Sequence, residues 1–158
     1  MKKFLTVLII LIVSNCNLYS QNKIIKGRTI TDQLETMSFV SIMISDSVEV
    51  GKTDLYGFFE ITLPVAEEKI CFKSVGLEPT VIKLLGACSA VDVIMMLNSS
   101  YDFKSSKKVD RLRKKRFNRL PKLHKQAFAK GIFQTDRACY SQEFKPLYKQ
   151  SKSPKGEF

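Results

Sequence analysis

The chain has 158 residues, 44% of them hydrophobic, and a net charge of +11, which suits one domain of ordinary core size plus an appendage and excludes two full domains. Residues 1–20 are +2, residues 21–100 are −3 with 7 basic and 10 acidic side chains, and residues 101–158 are +12 with 17 basic and 5 acidic, so a mildly acidic body carries a strongly basic tail. No internal repeat or low-complexity tract is present, which sets the solenoid and propeller classes aside.

Residues 1–20 read as a secretory address. Lys2 and Lys3 make a positive start, residues 4–13 form an apolar run in which only Thr6 is polar, and the small Ser20 stands before Gln21. That pattern predicts cleavage after Ser20 and an exported mature chain. Crossing a bilayer takes about 20 apolar residues, so no transmembrane span is expected in the mature chain. Cys16 raises the alternative of a lipid anchor, against which Asn15 counts, because a small residue is wanted before a lipidated cysteine.

The body reads as strands. Segments 24–31, 40–45, 48–53, 58–63, 69–75, 80–85 and 91–97 have strand length and composition, and turn residues separate nearly all of them. No helical period runs between them, and their spacing predicts an antiparallel sandwich of seven strands. Val40, Ile42 and Ile44 alternate with Ser41 and Met43, giving one buried face. In the last segment Val91, Val93, Met95 and Leu97 make one apolar face while Ile94 and Met96 belong to the other, and that second face needs a cover.

The stretch 51–63, GKTDLYGFFEITL, organises the body. Asp54 can accept hydrogen bonds from backbone donors shortly after it, and Gly57 can take the positive φ that closes a turn. Beyond the turn Phe59, Ile61 and Leu63 share one face and Phe58, Glu60 and Thr62 the other, the period of a half-buried strand.

Taken in order, Ile25 and Gly27, then Phe39, Val40 and Ile42, then Thr53, Asp54, Gly57, Phe59 and Ile61, then Ser74, Val75 and Gly76, and finally residues 93–97, resemble the carboxypeptidase-regulatory-like domain over about residues 23–97. Two departures stand out: Met37 and Ser38 occupy the place of a common proline, and Leu77 that of a common aromatic. The resemblance implies a small prealbumin-like β-sandwich of exported Gram-negative envelope proteins, non-catalytic despite the name. With the leader before it and the change of charge after it, the chain divides into a signal peptide (1–20), a β-sandwich (21–100) and a basic helical tail (101–158).

In the tail, residues 104–119 are rich in Lys and Arg, with Val109, Leu112, Arg116 and Leu120 along one stripe. Pro121 fits the first turn of a second helix, with Leu123, Ala127 and Phe128 apolar and Gly131 as its stop. Residues 145–158, with Pro146, Pro154 and Gly156, read as a frayed end. The apolar stripe of Leu112, Leu120, Leu123 and Phe128 matches the uncovered Ile94 and Met96, so the tail is expected to fold back on the body. Arg111, Arg113, Lys114 and Lys115 would then point outward as a face for an anionic partner, the bland alternative being a solvated helix surface.

Catalytic and metal inventories are thin. The single histidine, His124, reads as a partly packed helix residue, and no His-Glu-x-x-His pair is present. Cys71, Cys88, Cys139 and His124 lack the short chelating spacings of structural zinc sites. No cofactor, metal or enzymatic activity is expected. Three cysteines in an exported chain permit one disulfide, in any of three pairings, and leave an odd thiol; a Cys88–Cys139 bridge would tether tail to body, and three reduced, buried thiols are the alternative. The sequence therefore predicts a non-enzymatic envelope module that binds or scaffolds an envelope protein or an anionic surface polymer or lipid. The rival is a nucleic-acid-binding protein, argued from the basic run 107–119 with Phe117 inside it.

Overall fold

A computed structural model describes residues 22–147 apart from 46 and 87. The expected leader 1–20, with Cys16 and Ser20, and the end of the tail from residue 148 onward lie outside the described residues. The described chain is mainly β, with two sheets and two helices. In order come β1 (Asn22–Thr31), β2 (Ser41–Ile44), β3 (Val48–Lys52), β4 (Phe58–Pro64), β5 (Lys69–Lys73), β6 (Thr80–Leu84), β7 (Val93–Met95), α1 (Ser106–Phe117), α2 (Leu120–Ala129) and β8 (Tyr140–Gln142).

The first sheet runs β4-β1-β7 and the second β3-β2-β5-β6-β8. β1 is long enough to serve two neighbours. Its first part pairs antiparallel with β4, setting Ile25 opposite Ile61 and Gly27 opposite Phe59. Its last part pairs parallel with β7, Thr29 to Val93 and Thr31 to Met95. This parallel pair corrects the expectation of a wholly antiparallel arrangement. The strand count is corrected as well, because β8, from the tail, adds to the free side of β6 with Ile82 opposite Gln142 and Leu84 opposite Tyr140.

Strand alternation decides what is inside. In β4 the residues Phe59, Ile61 and Leu63 are buried while those between them are exposed, as a period of two requires. They join Ile25 of β1, Ile42 of β2, Ile70 and Phe72 of β5 and Ile82 of β6 in a core shared by both sheets. Phe59 meets Phe72 edge-on at 5.5 Å between ring centroids, a favoured aromatic geometry. A second, smaller core lies on the other face of the β1/β7 pair. There Ile30, Ile94 and Met96 pack with Leu120 and Ala127 of α2 and with Phe133 beyond it.

The turn between β3 and β4 is held by one carboxylate. Asp54 Oδ1 accepts the backbone N–H groups of Tyr56 and Phe58, both at 2.8 Å. Thr53 Oγ1 accepts from the Val40 N–H and donates to the Met37 carbonyl, both at 2.9 Å. Gly57 has φ +81°, and a Cβ there would lie 2.5 Å from the Thr29 carbonyl oxygen. Gly57→Val should therefore lower stability by about 2 to 3 kcal/mol, since positive φ strains a β-branched residue and the oxygen belongs to paired backbone. Urea unfolding measures it; a midpoint equal to wild type would mean that the turn closes in another geometry.

Candidate functional site

The helices of the tail begin and end where local chemistry directs. α1 starts after Ser105, whose carbonyl accepts the N–H groups of Lys108 and Val109. It carries Lys114, Lys115 and Arg116 in its last turn, where cations meet the negative end of the helix dipole. Pro121 sits in the first turn of α2, where its missing N–H costs nothing. Gly131, at φ +70°, ends the run.

Apolar contacts and two arginines dock this pair on the body. Leu120 is buried and Leu123 and Phe117 partly so against the outer core. Arg113 forms a two-point pair with Glu78, Nε to Oε1 at 2.9 Å and Nη2 to Oε2 at 2.7 Å. Its Nη1 also reaches Asp110 Oδ1 at 3.2 Å and the Lys145 carbonyl at 3.1 Å. Arg116 donates to Asp32 Oδ2 from Nε at 3.0 Å and Nη2 at 2.7 Å, and to the Leu97 carbonyl at 3.0 Å. The hydrogen bonds that Arg113 donates to Glu78 hold its pKa above the ordinary arginine value, against the opposing effect of burial.

Two residues depart from the sequence reading. Arg113, expected on the outward face, is 8% exposed. Glu78 is itself buried, and a carboxylate out of water needs a cation within reach. Phe128, expected on the docking stripe, is 45% exposed, while Phe133 beyond the helix takes a place in the core. Leu112 is half-buried. Phe117, the aromatic within the basic run, is also half-buried and packs on Phe144 with centroids 5.6 Å apart, so part of its ring is already covered.

What remains outside is strongly basic. Arg111, Lys114 and Lys115 are exposed as expected, together with Lys107 and Lys108 on α1 and Lys122 and Lys125 on α2. The ion pairs among the described residues include none of these seven. Aligning with them in one docked pair of helices requires Arg113 and Arg116 to turn the other way, into the body. Sequence reasoning placed Arg116 on the inner stripe. It missed Arg113, although the spacing of Val109, Arg113, Arg116 and Leu120 by four, three and four residues is that of one helical face.

The tail is also fixed covalently. Cys88, after β6, and Cys139, before β8, form a disulfide across Cα atoms 5.9 Å apart, within the usual range. Closing a loop of 51 residues stabilises by about 4 kcal/mol in the chain-entropy model. Cys71 is buried in β5. Close to this junction the Tyr140 hydroxyl donates to the Asp92 carbonyl at 2.9 Å. The Asp92 carboxylate accepts the Gln134 N–H at 2.9 Å. Burial raises the pKa of that carboxyl, a shift that the Gln134 hydrogen bond partly offsets.

Thr53, Asp54, Gly57 and Phe59 thus form a turn and its core anchor, and their hydrogen bonds are spent on backbone. Among the described residues no group of three or more His, Cys, Asp or Glu side chains could hold a metal ion, and no helix is long and apolar enough to cross a membrane. No family model matches the chain, and no curated protein matches it.

Proposed function

We propose that this protein is a non-enzymatic, exported envelope module whose docked helical pair binds an anionic envelope surface. In this reading the body is a prealbumin-like β-sandwich of the carboxypeptidase-regulatory-like type, and the tail completes it and supplies the binding face. The observation that carries the proposal is the row of exposed cations without acidic partners among the described residues, Arg111, Lys114 and Lys115 at its centre. The helix bearing them is fixed to the body through Arg113 and Arg116. Fixing the helix in advance lowers the ordering cost of binding, and a cationic surface gains about 1 kcal/mol per Lys or Arg near an anionic bilayer. Export is supported by the lysines and apolar run at the start of the sequence and is compatible with the disulfide.

Sedimentation with vesicles containing phosphatidylglycerol tests the face. Binding should weaken steadily as salt rises, and the triple variant Arg111→Glu, Lys114→Glu, Lys115→Glu should lose at least about tenfold in affinity. Absent binding, or binding indifferent to salt and to the charge reversals, would return the basic run to a solvated surface. Tighter salt-dependent binding to duplex DNA than to vesicles of matched charge would favour the nucleic-acid reading instead.

A further inference from the structure

Beside the docked helices is a cleft of about 480 Å³ that the surface reading does not use. It opens between α2, the turn through Asp136, Arg137 and Ala138, and β8. Ile94, Phe117, Leu120 and Pro121 give it an apolar wall, while Lys125 and Arg137 bring positive charge, opposed by Asp136 alone among its lining side chains. Its volume falls within the range of small-molecule sites, about 300 to 1,000 Å³.

His124 also lines this cleft. It is 4% exposed, and its Nε2 is the one buried side-chain nitrogen or oxygen among the described residues without a hydrogen-bond partner. Burial lowers its pKa, while the Asp92 charge and a hydrogen bond to the Thr135 backbone act the other way. An imidazole with its proton on Nδ1 has an acceptor at Nε2, the nitrogen left without a partner here. Buried acceptors are normally satisfied, so an unsatisfied one beside a cleft calls for a donor.

We propose that this cleft binds a small amphipathic anion, an aryl or short-chain carboxylate that also carries a hydroxyl. The apolar body packs on Phe117, Leu120 and Pro121, the carboxylate is drawn to Lys125 and Arg137, and the hydroxyl donates to His124 Nε2. The anionic surface partner proposed above centres on Arg111, Lys114 and Lys115, none of which lines the cleft, whereas this ligand occupies the side of α2 that faces β8; the two sites meet at Lys125 and otherwise use different residues.

The chain has a single histidine, so in protein without a histidine tag the ring protons of His124 report on the cleft directly in NMR titrations. The probes are 4-hydroxyphenylacetate, phenylacetate, which lacks the hydroxyl, and 4-hydroxyphenylethanol, which lacks the carboxylate. Saturable shifts are expected with the first, with affinity falling about tenfold for each of the others, the discrimination of one well-made polar contact. Ala138→Trp, a change at an exposed position on the cleft, should abolish the shifts while leaving the melting temperature and vesicle binding unchanged. The proposal is overturned by a lack of saturable shifts, by equal affinity for all three probes, or by shifts that persist in a folded Ala138→Trp protein. None of those results bears on the cationic face, whose own test is the vesicle series.

Discussion

Gly27→Ala is expected to cost about 3 to 5 kcal/mol or to prevent folding, among the largest effects of a single methyl group. A Cβ at Gly27 would lie 1.8 Å from the Val91 carbonyl oxygen and 2.6 Å from the Val91 carbonyl carbon. Backbone has to move, and it is held on both sides. The Lys26 N–H donates to the Ser89 carbonyl at 2.9 Å, and the Val91 N–H donates back to the Lys26 carbonyl at 2.8 Å. Relieving the clash therefore breaks those bonds and disturbs Val91, which is wholly buried. Gly51→Ala is the natural control, because its Cβ would meet only the Ile61 Cγ2 atom, at 2.9 Å, part of a side chain. Urea denaturation compares the two; a Gly27→Ala loss no greater than that of Gly51→Ala would mean that β1 and the Val91 segment part more easily than their hydrogen bonds imply.

Arg113→Met should destabilise by about 3 to 5 kcal/mol near neutral pH, because it leaves the Glu78 carboxylate buried and uncompensated. The side chains of the pair are 9% and 10% exposed, so water cannot take over the lost contacts. Replacing both partners, Arg113→Met with Glu78→Leu, should recover most of the loss, since a buried ion pair often breaks even against an apolar pair of similar size. Thermal melts of wild type, both single variants and the double variant form the cycle. A coupling near zero would show that the Arg113–Glu78 pair adds nothing to helix docking beyond the apolar contacts and the Arg116–Asp32 pair. The single variant has a second expected effect: hydrogen exchange should quicken in α1 before the strands respond, because the helix loses its anchor while the core of the sheets keeps its own.

The readable parts of this fold were those encoded in neighbouring residues. The alternation through Phe59, Ile61 and Leu63, the Asp54 and Gly57 turn, and the two helices separated near Pro121 all follow from periods of two and 3.6 and from local turn chemistry. The need to cover Ile94 and Met96 was also legible, because two adjacent faces of one strand cannot both point into one core. Pairing over long distances was not. The direction of β7 beside β1 depends on a crossover that no local pattern records, and β8, only Tyr140–Gln142, has no apolar alternation by which to be recognised. Arg113 misled for the same reason. Its charge alone predicts exposure, and its burial is explained only by Glu78, 35 residues earlier in the chain. The cleft depended on a similar convergence, since Ile94 and His124 become neighbours of β8 only after the tail has docked.

The addition of β8 to β6 also changes what the sheet presents to a second molecule. Without that short strand, the side of β6 from Ile82 to Leu84 would present unpaired N–H and C=O groups, and the withdrawal of the helices would bare Ile94 and Met96 on the other sheet. An open edge and an apolar patch together form a template on which a second molecule can add its own strand. The basic extension covers both features at once, and Cys88–Cys139 ties its last strand to the segment after β6. Reduction of this one bond would leave β8 held against β6 only by its strand pairing and by the docked helices.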